Sequence, residues 1–108
     1  MQVDVQLNNL PNSPGVTRDL RARVGRAFAR FRTSLNSVSL RIEDINGPRG
    51  GNDKECRIVC KLAGGASIVQ RRVRLSSRAA VISCIKAAER SLQRRVRREL
   101  GRRTAVTS

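Results

Sequence analysis

Histidine, tryptophan and tyrosine are absent from this 108-residue chain, and phenylalanine occurs only twice. Without histidine, the commonest general base and the commonest metal ligand are missing. Without aromatics, there is almost nothing on which a single-strand binder could stack successive bases. Cysteine is limited to Cys56, Cys60 and Cys84. Cys56 and Cys60 fall four apart on one expected strand, about 13 Å, too far for a disulfide. No two-residue cysteine spacing suggests zinc. The three are read as reduced, partly buried thiols of a cytoplasmic protein. The opening MQVDVQLNNL carries no basic leader, so no signal peptide is expected. No apolar run approaches the roughly 20 residues of a membrane span. The residue types present indicate no catalytic group, metal site, cofactor or small-molecule substrate, and the chain is expected not to be an enzyme.

Acid is scarce too. Eight Asp and Glu face 23 Lys and Arg, a formal net charge of +15, with a pI near 11.8. The bases are almost all arginine, with lysine only at positions 54, 61 and 86. Arginine offers a planar fork that matches phosphate. A GC-rich coding bias accounts for arginine over lysine, but not for fifteen excess positive charges. Such a chain needs a polyanionic partner. With so few aromatics, a partner held by backbone charge and shape fits best, which points to structured RNA or duplex.

The charge concentrates in a helix expected from about Ser76 to Arg103. Val81, Ile85, Ala88, Leu92, Val96 and Leu100 recur at three- and four-residue steps, the core-facing stripe of a helix. Lys86, Arg90, Arg94, Arg95, Arg97, Arg98, Arg102 and Arg103 fill most of the rest, opposed by Glu89 and Glu99. Like charges four apart repel by roughly 0.2–0.5 kcal/mol a pair. A single-signed face is therefore not what folding alone selects.

Ahead of that helix, Val3, Val5 and Leu7 alternate with Gln2, Asp4 and Gln6, a half-buried strand. Asn8 to Gly15 reads as a loop. A first helix is expected from an N-cap at Thr17, with Asp19 in its first turn, to about Thr33. Its apolar stripe is Leu20, Val24, Ala27, Phe28 and Phe31. Val38, Leu40 and Ile42 mark a second strand, and Cys56, Ile58, Cys60 and Leu62 a third, joined by the glycine-rich segment 46–52. A turn over 63–66 leads to a fourth strand, Ile68 to Leu75, with Val69, Val73 and Leu75 taken as its apolar side. Arg71 interrupts that side, which marks an edge strand. Residues 104–108 show no pattern and are expected to fray.

The order is β-α-β-β-β-α. The first β-α-β unit implies two parallel strands with a right-handed crossover, and the next three strands an antiparallel meander. The expected fold is α+β, a two-layer sandwich with a four-stranded mixed sheet and both helices on one face. Residues 1–103 form one domain.

The element order, the segment Asn46-Gly47-Pro48-Arg49-Gly50-Gly51-Asn52-Asp53-Lys54-Glu55-Cys56-Arg57-Ile58, and a serine-led basic second helix containing Ala79-Ala80-Val81-Ile82 together resemble the ribosome hibernation-promoting factor family, the ribosome-associated inhibitors. The resemblance spans roughly residues 1–100. It implies a fold similar to double-stranded-RNA-binding domains and a short form without the linker and C-terminal dimerisation domain of long members. It also implies a protein, monomeric off the ribosome, that binds small-subunit ribosomal RNA between head and body. There it would block the messenger and transfer RNA channel and preserve idle ribosomes. The family usually has an aromatic residue and acids early in its second helix. Here Ala79, Ser83 and Ala87 stand near those positions, so this helix is the more cationic.

The candidate RNA-binding residues are Arg23, Arg26 and Arg30 of the first helix, Arg71, Arg72 and Arg74 of the fourth strand, and Arg78, Lys86, Arg90, Arg94, Arg95, Arg97, Arg98 and Arg102 of the second helix. Each has a plainer reading. Helical arginines can form a solvated face, and charges on an edge strand can simply prevent sheet-to-sheet pairing. The glycine-rich loop lacks the Lys-Ser/Thr pair of a phosphate cradle and reads as a hairpin connection, with Arg49 at its tip. The acids Glu43, Asp44, Asp53 and Glu55 read as a solvated cluster. Cys56 could be activated by neighbouring Arg57, against a plain core role. Two other functions share the charge pattern: a general structured-RNA-binding or RNA-chaperone module, against which the extra first strand argues, and a regulator that binds an acidic protein.

Overall fold

The computed structural model describes residues 1–11, 13–45 and 53–107, with side chains through Glu99. The elements are β1 (Gln2–Asn8), α1 (Pro14–Phe28), β2 (Leu35–Asp44), β3 (Lys54–Leu62), β4 (Ser67–Arg74) and α2 (Ser77–Thr107), with a 3₁₀ turn at Ala29–Phe31 after α1. The sheet order is β1-β2-β3-β4. The β1–β2 pair is parallel, and the β2–β3 and β3–β4 pairs are antiparallel. The expected α+β architecture and the edge position of the fourth strand both hold. No helix among the described residues is long and apolar enough to cross a membrane.

Register explains the two layers. Val5 lies beside Leu40, Leu40 beside Ile58, and Ile58 beside Gln70. Directly paired residues point to the same side of a sheet. One face therefore gathers Val5, Val38, Leu40, Ile42, Cys56, Ile58, Cys60 and Leu62, all buried. Val24 and Phe28 of α1 and Ala80, Val81, Cys84, Ile85, Ala88 and Leu92 of α2 close over it in one cluster. The other face of the sheet is left open.

The ends of the elements differ from the expectation in instructive ways. Helix α1 begins at Pro14, not after Thr17. Proline's fixed φ and missing N–H suit a first helical position, and the Thr17 N–H donates to the Ser13 carbonyl at 3.1 Å. Asp19 thus lies beyond the first turn. Ser76 caps α2, its Oγ accepting from the Ala79 N–H at 3.1 Å. Helix α2 then continues to Thr107, through residues 104–107 where fraying was expected. Gly65, at φ +98°, lets the chain reverse between β3 and β4. Segment 46–52, with Arg49, lies outside the described residues.

Strand β4 is the main correction. The sequence pattern puts Val69, Val73 and Leu75 on its apolar side. The register instead turns Ile68, Gln70, Arg72 and Arg74 toward the helices, opposite Cys60, Ile58, Cys56 and Lys54. Val69 is 48% exposed, and Leu75, past the strand's end, is 73% exposed. Polar groups face α2 because the helix supplies them with partners, as described below.

All three cysteines are free and buried, as expected. Activation by Arg57 does not occur, because strand alternation sends Arg57 to the opposite face from Cys56. The Cys84 thiol donates to the Cys56 and Gln70 carbonyls, each at 3.4 Å. A separate interaction between the two side chains, in which the Cys56 thiol keeps its proton against the Cys84 sulfur, raises the Cys56 pKa together with burial, and the same thiol-to-thiol contact draws Cys84 down. Burial, then the proximity of Cys84, pushes Cys60 up from 9.0 to about 12. A raised pKa means that the folded state holds its proton where the unfolded chain releases it. Stability from Cys60 is therefore complete below pH 9 and is lost as pH rises toward 12. Melting temperature should fall over that interval, and Cys60→Ala should flatten the fall, as measured by circular dichroism. The chain has no tyrosine to confuse the result.

Candidate nucleic-acid interface

Helix α2 carries its charge on two bearings. Lys86, Arg90 and Arg97 follow one another at four- and seven-residue steps along the side away from the core stripe, and all are exposed. Arg98 takes another direction. It lies eighteen residues, about five turns, beyond Ala80, so it has the bearing by which Ala80 enters the core. Yet Arg98 is exposed and Ala80 fully buried. By Arg98 the helix has passed its last core residues, Leu92 and the partly buried Val96. At Arg98 an arginine therefore takes, free of packing, the bearing that an alanine fills in the core at Ala80. Among the described residues, Lys86, Arg90, Arg97 and Arg98 form no ion pair.

A polar seam sets the position of this helix. Gln70 donates from Nε2 to Ser91 Oγ at 2.8 Å, and Arg74 from Nη2 to Ser83 Oγ at 3.0 Å. From Ser83 to Ser91 is about 12 Å of helix, and from Arg74 back to Gln70 is about 13 Å of strand. The two spacings match only with α2 antiparallel to β4, so the pair of bonds sets both direction and height. Ser91 also accepts from Arg94 Nη2 at 3.4 Å, and Arg72 Nη1 donates to Gln70 Oε1 at 3.4 Å. Ser83 serves as Arg74's acceptor.

The remaining candidates divide. Arg23 and Arg26 of α1 and Arg78 of α2 come together along one groove between the helices. Arg30 instead pairs with Glu89 at 3.5 Å and lies over the Phe31 ring, 4.7 Å from its centroid, tying the end of α1 to α2. Arg95 is half-buried beside Glu99, 3.8 Å away. Arg71 separates from Arg72 and Arg74: it lies on the open face, 2.9 Å from Glu55. The Arg102 side chain lies outside the described residues.

Arg41 and Arg57 are not among the RNA-binding candidates read from the sequence. Register aligns Arg41 with Arg57 and Arg57 with Arg71, a row of like charges at about 4.8 Å strand spacing. Glu43 offsets Arg41 at 3.7 Å and Glu55 offsets Arg71. Arg57 has no ion pair among the described residues. The three lie far apart in the chain, so only the pairing register reveals the row. Glu43, Asp44 and Glu55, taken as a solvated cluster, are ion-pair partners, Asp44 of Lys54 at 3.5 Å. Among the described residues no three His, Cys, Asp or Glu gather as metal ligands.

No family model matches the chain. No curated protein sequence matches it either. Solved structures do. A ribosomal subunit interface protein from Coxiella burnetii superposes with a TM-score of 0.67 at 15% identity, over 87% of this chain and 96% of that one. The N-terminal domain of Protein Y from Thermus thermophilus superposes with a TM-score of 0.65 at 16% identity, over 87% and 98%. This chain has their fold.

The seam can be tested without a partner. In a double-mutant cycle, Gln70→Ala and Ser91→Ala should couple by about 0.5–3 kcal/mol, read from urea unfolding. Arg90→Ala, on the outer line, should stay within about 0.5 kcal/mol of the parent.

Proposed function

We propose that this protein is a ribosome-binding hibernation or translation-inhibition factor. It docks on small-subunit ribosomal RNA through the cationic side of α2 and α1, and it blocks the messenger and transfer RNA channel by occupying it. The observation that carries this reading is a coincidence of fold and charge. The chain is covered over 87% by the fold of a ribosomal subunit interface protein, and on α2 Arg90, Arg97 and Arg98 have no carboxylate partner among the described residues.

In this reading no bond is made or broken. Phosphates of folded RNA displace the counterions of Lys86, Arg90, Arg94, Arg97 and Arg98, while the rigid two-layer body supplies shape. The protein works in the cytoplasm as a monomer until it meets the ribosome. Arg30 and Arg95 hold structure more than partner, because each is engaged with a glutamate. Arg71 lies on the open face, on the opposite side of the sheet from the docking helices, and is paired with Glu55.

The test is co-sedimentation with purified small subunits. If six to ten phosphates are contacted, affinity should fall about 10³–10⁵-fold between 50 and 200 mM salt. The double reversal Arg94→Glu and Arg98→Glu should abolish binding at low salt while the melting temperature stays near that of the parent, since both side chains are exposed and Arg94 gives up only a long, exposed contact to Ser91. Absence of co-sedimentation by the parent protein at low salt would sink the reading. Equal affinity for free duplex RNA and intact subunits would favour the RNA-chaperone alternative.

A further inference from the structure

We propose that the groove between α1 and α2 takes one unpaired nucleotide of the RNA partner, with its base on the apolar floor and its phosphate between the rim arginines. This rests on the RNA-binding reading above and goes further by giving one subsite a ligand.

The groove has a volume of about 640 Å³, within the range that holds a small ligand. Its floor is aliphatic, built from Leu7, Leu10, Leu20 and Val81. Its mouth is cationic, with Arg23 and Arg26 from α1 and Arg78 from the first turn of α2. None of the three has an ion pair among the described residues. Asp19 is the single carboxylate in the lining. Guanidinium forks match phosphate oxygens bidentately, and the positive end of the α2 dipole lies at the same place.

Phosphate binding alone would not require the floor. Val16, on the groove wall, is 46% exposed, so apolar surface lies open beside the rim arginines, and a ligand with an apolar part and an anionic part would complement both. A nucleotide has both parts. The two phenylalanines are committed to the core, Phe28 at 0% and Phe31 at 7% exposure, so no aromatic platform competes for the base. Two further recesses among the described residues differ: one is bordered by Arg95 and Glu99, which face each other, and one lies on the open side of the sheet. An aliphatic floor has no hydrogen-bond code, so the groove should accept any base. It also continues the cationic side of both helices, where folded RNA already lies in the proposed mode.

Two RNA hairpins test the proposal, one fully paired and one bearing a single unpaired 2-aminopurine. The parent protein should bind the bulged hairpin about fivefold more tightly, roughly 1 kcal/mol, with a change in 2-aminopurine fluorescence. Methyl resonances of Leu20 and Val81 should shift with the bulged hairpin only. Ala22 is exposed on the groove wall, and Ala22→Phe should fill the mouth. That variant should lose the preference and the fluorescence change while binding the paired hairpin as the parent does. Equal binding of both hairpins by the parent overturns the proposal, as does a preference that survives in a folded Ala22→Phe. Methyl shifts produced by an acidic amphipathic peptide but not by the bulged hairpin also overturn it, and assign the groove to a protein. Absence of the preference in the parent protein, with intact co-sedimentation, refutes the groove alone. A preference retained without co-sedimentation refutes the ribosome reading alone.

Discussion

The seating of α2 across β3 and β4 is the constraint on which the rest depends. It is made of two unlike halves. Ala80, Val81, Cys84, Ile85, Ala88 and Leu92 enter a dry layer over Cys56, Ile58 and Cys60. Alongside them, Gln70 and Arg74 reach from the edge strand to Ser91 and Ser83. The apolar half supplies most of the driving force, since burial of each such side chain contributes on the order of 1.5–3 kcal/mol. The polar half adds less energy and more direction, because a hydrogen bond is met at one height and one heading only. Together they hold a row of arginines rigidly, so that the helix need not lose conformational freedom again when a polyanion arrives.

That arrangement makes sense of charges that would otherwise only repel. Intramolecular carboxylates are spent on Arg30, Arg41, Lys54, Arg71 and Arg95. Those pairs tie helix to helix, β2 to β3, β3 to β4, or one turn of α2 to the next, apart from Arg41–Glu43, which lies within β2. The outer line of α2 and the groove rim receive none. Self-repulsion there costs a few tenths of a kcal/mol per pair, and an external polyanion would turn the same charges into attraction. The division of the sheet into a covered face and an open one also separates the arginines into two populations, one gathered about the helices and one interleaved with glutamates on the open side.

Much of this was legible in the chain itself. Period-two alternation in β1, β2 and β3 and the stripe from Val81 to Leu92 mark elements whose burial pattern follows their own sequence. Strand β4 was misread because its inward side is polar: Gln70 and Arg74 look like solvent-facing residues until Ser91 and Ser83 are known to lie across from them. The start of α1 was missed because Pro14 reads as loop, although a first helical turn tolerates proline well. The row Arg41–Arg57–Arg71 and the meeting of Arg23 and Arg26 with Arg78 are products of register and packing, which no local pattern encodes. Conversely, the cationic side of α2 was visible at once, because a helix repeats its own face every three or four residues.

Hydroxyl-radical footprinting of small-subunit ribosomal RNA, with and without the protein at low salt, tests the central claim most directly. The account predicts protection confined to RNA lining the channel between head and body, and its disappearance with Arg94→Glu and Arg98→Glu. Protection scattered over exposed duplexes, or an unchanged footprint with the reversed helix, would contradict it.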